Sequence, residues 1–205
     1  MEPLAIDVFT DIVCPWCFIG NERLEQVLST ESREVVVTHH PFLLDPTTPP
    51  EGFNVQDYLR KKYRADPLAM FAQVEAQAHA SGIPLELSRQ PMSYRTLKAH
   101  TLSRHAEAKG TQRALVRALF KSYFLDAANI GDDRVLATLA SAHGFGEEEA
   151  LALVRDESEL AATRTETEEA AAMGIRGVPL FIFDRKRAIS GAQPAEVLRA
   201  AVRAA

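Results

Sequence analysis

Two cysteines stand two positions apart in Cys14-Pro15-Trp16-Cys17, and they are the only two in the 205-residue chain. The apolar run Leu4-Ala5-Ile6-Asp7-Val8-Phe9 precedes them, and a helix-like pattern over 18–28 follows. A thiol pair at such a junction commits the start of the chain to a β-strand running into the N-terminus of a helix. At or just before the first turn, Cys14 meets unpaired backbone N–H groups and the positive end of the helix dipole. Both favour the thiolate, the species that attacks disulfides. Pro15 suits the first turn, where a missing N–H has no partner to lose.

Three other uses of the pair compete with redox chemistry. A structural disulfide across so short a loop constrains the unfolded chain little. Half of a zinc site would need a second ligand pair; there are no further cysteines, and of the six histidines only His100 and His105 come near a ligand spacing. Chance placement of two core cysteines is the third. Motif and strand-to-helix context together favour a redox-active pair with no resident metal.

The totals narrow the classes. Hydrophobic residues are 46% and charged residues 25% of the chain, enough apolar material for a globular core. A net charge of −5, with no basic run interleaved with aromatics, argues against general binding to nucleic acid or anionic membranes. No stretch approaches the roughly 20 apolar residues of a membrane span. Glu2, Asp7 and Asp11 interrupt the N-terminal apolar run, so no secretory leader is read there and a cytoplasmic location is expected. In a reducing compartment a lone C-x-x-C is more often catalytic or metal-binding than structural.

Residues 4–10 read as a buried strand. The helix after the cysteine pair sets Phe18, Ile19, Leu24, Val27 and Leu28 along one side, with Glu22, Arg23 and Glu25 outward. The β-branched stretch 34–40 reads as a second strand, stopped by Pro41 and parallel to the first. Proline-rich 45–52 is loop. Helices are expected over 55–64, 67–80 (capped by Asp66), 94–108, 112–128, from a cap at Asp132 or Asp133 to Gly144, over 147–154 and over 158–173. An extended interruption is expected over 83–87. Strands at 180–183 and 187–190, joined by a turn at Asp184-Arg185-Lys186, form an antiparallel hairpin, and a helix over 195–204 closes the chain. The fold class is α/β: a thioredoxin fold with halves at 1–53 and 159–205 and a large all-helical insertion at 54–158. In that topology Val178-Pro179 falls opposite the cysteine turn, where a cis bond is expected to present the Val178 backbone to a substrate strand.

Asp11-Ile12-Val13-Cys14-Pro15-Trp16-Cys17-Phe18-Ile19-Gly20, with Gly177-Val178-Pro179-Leu180-Phe181-Ile182-Phe183 and Ser190-Gly191-Ala192-Gln193-Pro194, resembles the DsbA-like thioredoxin superfamily, most of all its cytoplasmic FrnE-type branch. The resemblance implies that Cys14 is the nucleophile, Cys17 the resolving thiol, and Pro179 a cis proline. It implies Val178 as a substrate contact, and Pro15 and Trp16 border the same groove. Leu180 stands where the family often has an aromatic residue.

The expected chemistry is thiol–disulfide exchange. The Cys14 thiolate opens a substrate disulfide, and Cys17 resolves the mixed disulfide. With Trp16 between the cysteines, the potential should lie between about −120 and −270 mV. Asp11 either points inward, which would oppose the Cys14 thiolate, or is a solvated loop residue. His39 and His40 face opposite sides of their strand, and one of them is expected inside as a satisfied structural histidine. Expected partners are disulfide- or thiol-bearing proteins, with glutathione as a co-substrate and no tightly bound cofactor; the chain is read as a monomer or a homodimer. Two rivals remain. One is a glutathione-dependent isomerase or kappa-type transferase, types that carry Ser in place of the first Cys. The other is a chaperone-like module built on an apolar groove at Trp16, Phe18 and Pro179.

Overall fold

The computed structural model describes residues 2–205. Strand β1 (Leu4–Thr10) leads into helix α1 (Pro15–Leu28), and β2 (Val35–Pro41) returns parallel to β1 from Leu4↔Val35 to Thr10↔Pro41. Strands β3 (Phe53–Asn54) and β4 (Met92–Ser93) flank α2 (Val55–Tyr63) and α3 (Pro67–His79). Then come α4 (Leu97–Ala108), α5 (Gln112–Phe124), α6 (Asp133–Ser141), α7 (Glu147–Leu153) and α8 (Glu157–Ala172). The chain finishes with β5 (Leu180–Phe183), β6 (Arg187–Ser190) and α9 (Ala195–Ala204). The main sheet runs β2-β1-β5-β6, with β5 antiparallel to both β1 and β6.

The pleat of β1 sorts its residues between two faces. Leu4, Ile6 and Val8 join Leu24 and Val27 of α1 and Leu198, Ala201 and Val202 of α9 in one buried cluster. Phe9 points the other way, against Ala170 at the end of α8 and Ile175 just beyond it. Helices therefore cover both faces of the sheet. The hairpin turn places Asp184 and Arg185 at φ 48° and 56°, and Lys186 N–H closes it on Phe183 O at 2.9 Å.

Residues 17–24 of α1 are all buried, because the helix lies between two cores. Leu24 and Val27 face the sheet, while Phe18 and Ile19 join Leu102, Leu115, Leu119 and Phe120 from the helices that follow β2. Phe18 stacks on Phe120 and Phe124 at 5.7 and 5.4 Å. The expectation that Glu22 and Arg23 face outward is corrected here. Glu22 is clamped by Arg117 at 2.6 and 2.8 Å. The Arg23 guanidinium donates to Ser81 Oγ, the Ala192 carbonyl and the Gln77 carbonyl at 2.6–3.1 Å. A buried charge is tolerated only with such partners, and these lie 54 to 169 residues away in the chain.

Asp66 caps α3 by accepting a backbone N–H bond, as its sequence position predicts, and of Asp132 and Asp133 it is Asp132 that caps α6 in the same way. Helix α4 starts at Leu97, after β4, where the periodicity suggests 94. Helix α5 stops at Phe124 short of 128, because the chain turns back with Ala127 at φ 55° and Ala128 N–H bonded to Ser122 O. The β3–β4 pair is not foreseen from the sequence; it contains only two residues per strand.

Candidate active site

Cys14 is the N-cap of α1. Its backbone is extended (φ −87°, ψ 113°), its N–H donates to Asp11 O at 3.0 Å, and its carbonyl accepts the first helical bond from Phe18 N–H at 3.1 Å. Pro15 occupies the first turn, and no side chain caps the helix. The free N–H groups and the positive end of the dipole therefore lie at Cys14 itself, an arrangement that stabilises a thiolate. The helix begins three residues earlier than the 18–28 pattern indicates, so Cys17 sits within the first turn.

Both thiols are free, with Cys14 4% and Cys17 1% exposed. Burial pushes the Cys17 thiol well above its usual value, and the hydrogen bond and charge of neighbouring Cys14 add to this. The Thr10 hydroxyl and the Asp11 backbone act the other way. The two sulfurs are thus unequal: Cys17 is the one whose surroundings hold its proton, and part of that hold comes from Cys14 beside it. That restraint weakens once Cys14 is bonded to another sulfur.

The C-terminal half supplies the opposite wall. The Val178–Pro179 peptide is cis. Pro179 is buried against α1, directly over Gly20, where an added Cβ would lie 3.1 Å from both Pro179 Cγ and Phe181 Cζ. Cys14, Pro15, Trp16 and Val178 line one cavity of about 560 Å³, which reaches under α2 and α3. Cys17 lies behind them, in the core. Leu180 turns away to pack with Phe9 on the α8 face of the sheet.

Asp11 points inward and is 1% exposed. Its Oδ2 accepts the Leu44 N–H at 2.8 Å, which ties the start of the 43–48 loop to the cysteine turn. Its Oδ1 lies 3.5 Å from Nε2 of the equally buried His100 of α4, and neither atom has a hydrogen-bond partner. His100 carries no sequence signal for this place beyond its position on a buried face of α4. Nearby Tyr123 has its phenol pushed well above the usual range by burial, with the Asp11 charge adding to the shift.

His100 and His105 do not form a pair. His105 bonds Glu159 at 2.8 Å, and among the described residues no three Cys, His, Asp or Glu side chains gather as metal ligands. His39 is the inward histidine of β2, held by backbone bonds to the Gln112 side chain at 2.9 Å. Its ring nitrogens have no partner, so it is not the satisfied histidine the strand pattern suggests. Burial, with like charge from His40, Arg113 and His100, lowers its pKa to about 3. His40, on the other face, bonds Asp7 at 2.8 Å and stacks on Phe9.

The model of the DSBA-like thioredoxin domain matches residues 5–203, nearly the whole chain. The chain belongs to this family. The crystal structure of a probable DsbA oxidoreductase from Streptomyces coelicolor superposes with a TM-score of 0.88 at 32% identity, over 98% of this chain and 89% of that one. An uncharacterized Bacillus subtilis (strain 168) protein, YwbO, is 27% identical over 141 residues, 68% of this chain and 66% of its own length. The cytosolic disulfide reductase DsbM from Pseudomonas aeruginosa, solved with GSH, shares the fold at a TM-score of 0.69 and 18% identity, over 98% of both chains. The architecture of this DSBA-like chain is the thioredoxin fold with a helical insertion, and no helix among the described residues is long and apolar enough to cross a membrane.

Proposed function

We propose that this DSBA-like protein is a thiol–disulfide oxidoreductase that works through Cys14 and Cys17 in a reducing compartment. The carrying observation is the asymmetry of the pair: Cys14 caps α1 and borders the cavity, while Cys17 is shut in the core behind it and holds its proton tightly. The Cys14 thiolate attacks one sulfur of a substrate disulfide, forming Cys14–S–S–R and releasing one thiolate. Cys17 then loses its proton and attacks the Cys14 sulfur. The second thiolate leaves, and Cys14–Cys17 is oxidised by the two electrons the substrate gains. The reverse sequence inserts a disulfide. Val178 and Pro179 are assigned to substrate contact, since Val178 lines the same cavity as Cys14 and Pro179 packs on α1 behind it. Pro15 and Trp16 form the near wall. Glutathione is assigned as a co-substrate.

Equilibration in glutathione redox buffers, followed by the fluorescence of the single tryptophan Trp16, tests the reading. A reversible two-thiol transition between about −180 and −250 mV is expected. A one-thiol glutathione adduct with no internal disulfide would overturn it. Isomerase or transferase activity that survives Cys14→Ser would move the assignment to the glutathione-dependent rival.

A further inference from the structure

The buried end of β1 holds polar atoms that the exchange chemistry leaves unused. Thr10 ends the strand and Asp11 follows it; His39 stands on the adjoining β2, and His100 of α4 faces Asp11. All four residues are at most 4% exposed. Thr10 Oγ1, Asp11 Oδ1, both ring nitrogens of His39 and His100 Nε2 have no hydrogen-bond partner. Each such atom costs free energy in the interior. Asp11 is also tied to both thiols. Its carbonyl accepts the Cys14 N–H at 3.0 Å, and its backbone acts on the Cys17 thiol together with the Thr10 hydroxyl. Oδ2 of its carboxyl is fixed by the Leu44 N–H at 2.8 Å, which leaves Oδ1 facing His100 Nε2 at 3.5 Å. That contact makes no hydrogen bond as it stands. One proton placed between the two atoms would turn them into donor and acceptor.

Cys17 needs such an acceptor. It must lose its proton before it can resolve a mixed disulfide, yet it is 1% exposed and burial holds that proton in place. Asp11, unlike Cys17, lines the cavity that Cys14 borders, so a proton received there has a way out to solvent. The other groups around the pair keep their charge states near neutral pH. His39 stays neutral, since its pKa is lowered to about 3. Tyr123 of α5 keeps its proton, because burial pushes its phenol well above the usual range. Lys62, Arg95 and Arg164 line the cavity as fixed cations. Asp45, held below its ordinary value by Thr47, is a fixed anion there.

We propose that Asp11 and His100 act together as the acceptor of the Cys17 proton, an inference that rests on the oxidoreductase reading. Once Cys14 is joined to a substrate sulfur, the Cys17 S–H gives its proton to the pair, which holds it between Oδ1 and Nε2. The Cys17 thiolate attacks the Cys14 sulfur, and the bond from Cys14 to the substrate sulfur breaks. The substrate leaves through the cavity as a thiolate. Cys14 and Cys17 have then lost two electrons to the substrate, and the pair releases its proton on the Asp11 side, where the departing thiolate or solvent takes it. In the reverse direction the pair takes up a proton and returns it to Cys17.

Dithiobis-nitrobenzoate reads the two steps separately. Mixed with the reduced protein in a stopped-flow instrument, it releases one nitrothiobenzoate when Cys14 attacks, at a rate proportional to the reagent. It releases a second when Cys17 resolves, at a rate independent of the reagent. The expected resolution rate of the parent protein is nearly level from about pH 6.5 to 8, because the proton moves within the protein. In Asp11→Asn, whose side-chain oxygen can still accept the Leu44 N–H, resolution at pH 7 should be at least tenfold slower. It should also climb about tenfold per pH unit, following the thiolate fraction of a lone Cys17. His100→Gln is the second variant, used in the same way if circular dichroism shows Asp11→Asn unfolded. Unchanged resolution in a folded variant would overturn the proposal. So would a parent profile as steep as the variant's, or equal slowing of both releases, which is what a merely structural role would give. Release of only one nitrothiobenzoate by the parent protein would remove the oxidoreductase reading and this inference together.

Discussion

His39 should make the stability of this protein fall between pH 7 and pH 5. Its imidazole is 4% exposed with no hydrogen-bond partner at either nitrogen, and its pKa is lowered from an ordinary 6.5 to about 3. Below 6.5 the unfolded chain takes up a proton that the folded chain refuses, so protons are drawn toward the unfolded state. The His39 contribution is complete above that value, is lost as pH falls, and is exhausted near pH 3 where the folded form also protonates. The limiting slope is about 1.4 kcal/mol per pH unit, and between pH 7 and 5 the loss integrates to about 2 kcal/mol. The carboxylates of Asp45, Asp133, Glu149, Asp156 and Glu159 are all held below their ordinary values. Their contributions therefore disappear in more acid solution, whereas burial raises the Glu166 carboxyl, which opposes the His39 effect as pH falls. Urea unfolding at pH 7, 6 and 5, followed by far-UV circular dichroism, reads the effect as a midpoint lower by about 1 M at pH 5, taking a slope of about 2 kcal/mol/M. The backbone bonds between His39 and Gln112 survive substitution of the ring, so His39→Leu should flatten the dependence. An unchanged pH slope in His39→Leu would refute the reasoning.

Two further outcomes concern how the insertion is joined to the sheet. Phe120 is fully buried and stacked on Phe18, so Phe120→Ala should cost about 3–5 kcal/mol; Trp16 fluorescence and circular dichroism should lose their signals in one coincident transition, and two separated transitions would contradict a shared core. The Glu22–Arg117 pair is bidentate, but the arginine side chain is 41% exposed. A double-mutant cycle with Glu22→Gln and Arg117→Met should give a coupling of no more than about 1 kcal/mol that shrinks in 1 M NaCl, and a larger, salt-insensitive value would show that the pair is effectively buried.

The elements with local signals are legible in the sequence alone. The thiol pair after an apolar run, the β-branched stretch before Pro41, the Asp66 and Asp132 caps and the polar turn at Asp184 each announce themselves within a few residues, and the strand order follows from their succession. What escaped the sequence depends on distant partners. Glu22 and Arg23 read as an outer helix face until Arg117, Ser81 and Ala192 close over them. The β3–β4 pair is too short to leave a period. Asp11 and His100 lie 89 positions apart, and no spacing rule connects them. Strand alternation shows that one of His39 and His40 faces inward, but not which one or that its ring has no partner, because both depend on which side chains from α4 and α5 surround it. The cavity beside Cys14 is likewise a product of packing: its walls are drawn from β3, α2, α3, α5 and the stretch before α4, and no local motif marks it.

Gly20 sets the distance between two parts of the site that are remote in the chain. It carries the helix of the cysteine pair, and Pro179 and Phe181 rest where its side chain would be. Its backbone does not need glycine's freedom; the neighbouring ring carbons need the space. A single methyl at this point would act as a wedge between the loop before β5 and the redox turn, opening the groove without touching either cysteine. The alignment of nucleophile and opposing loop thus depends on one missing side chain, three residues beyond Cys17.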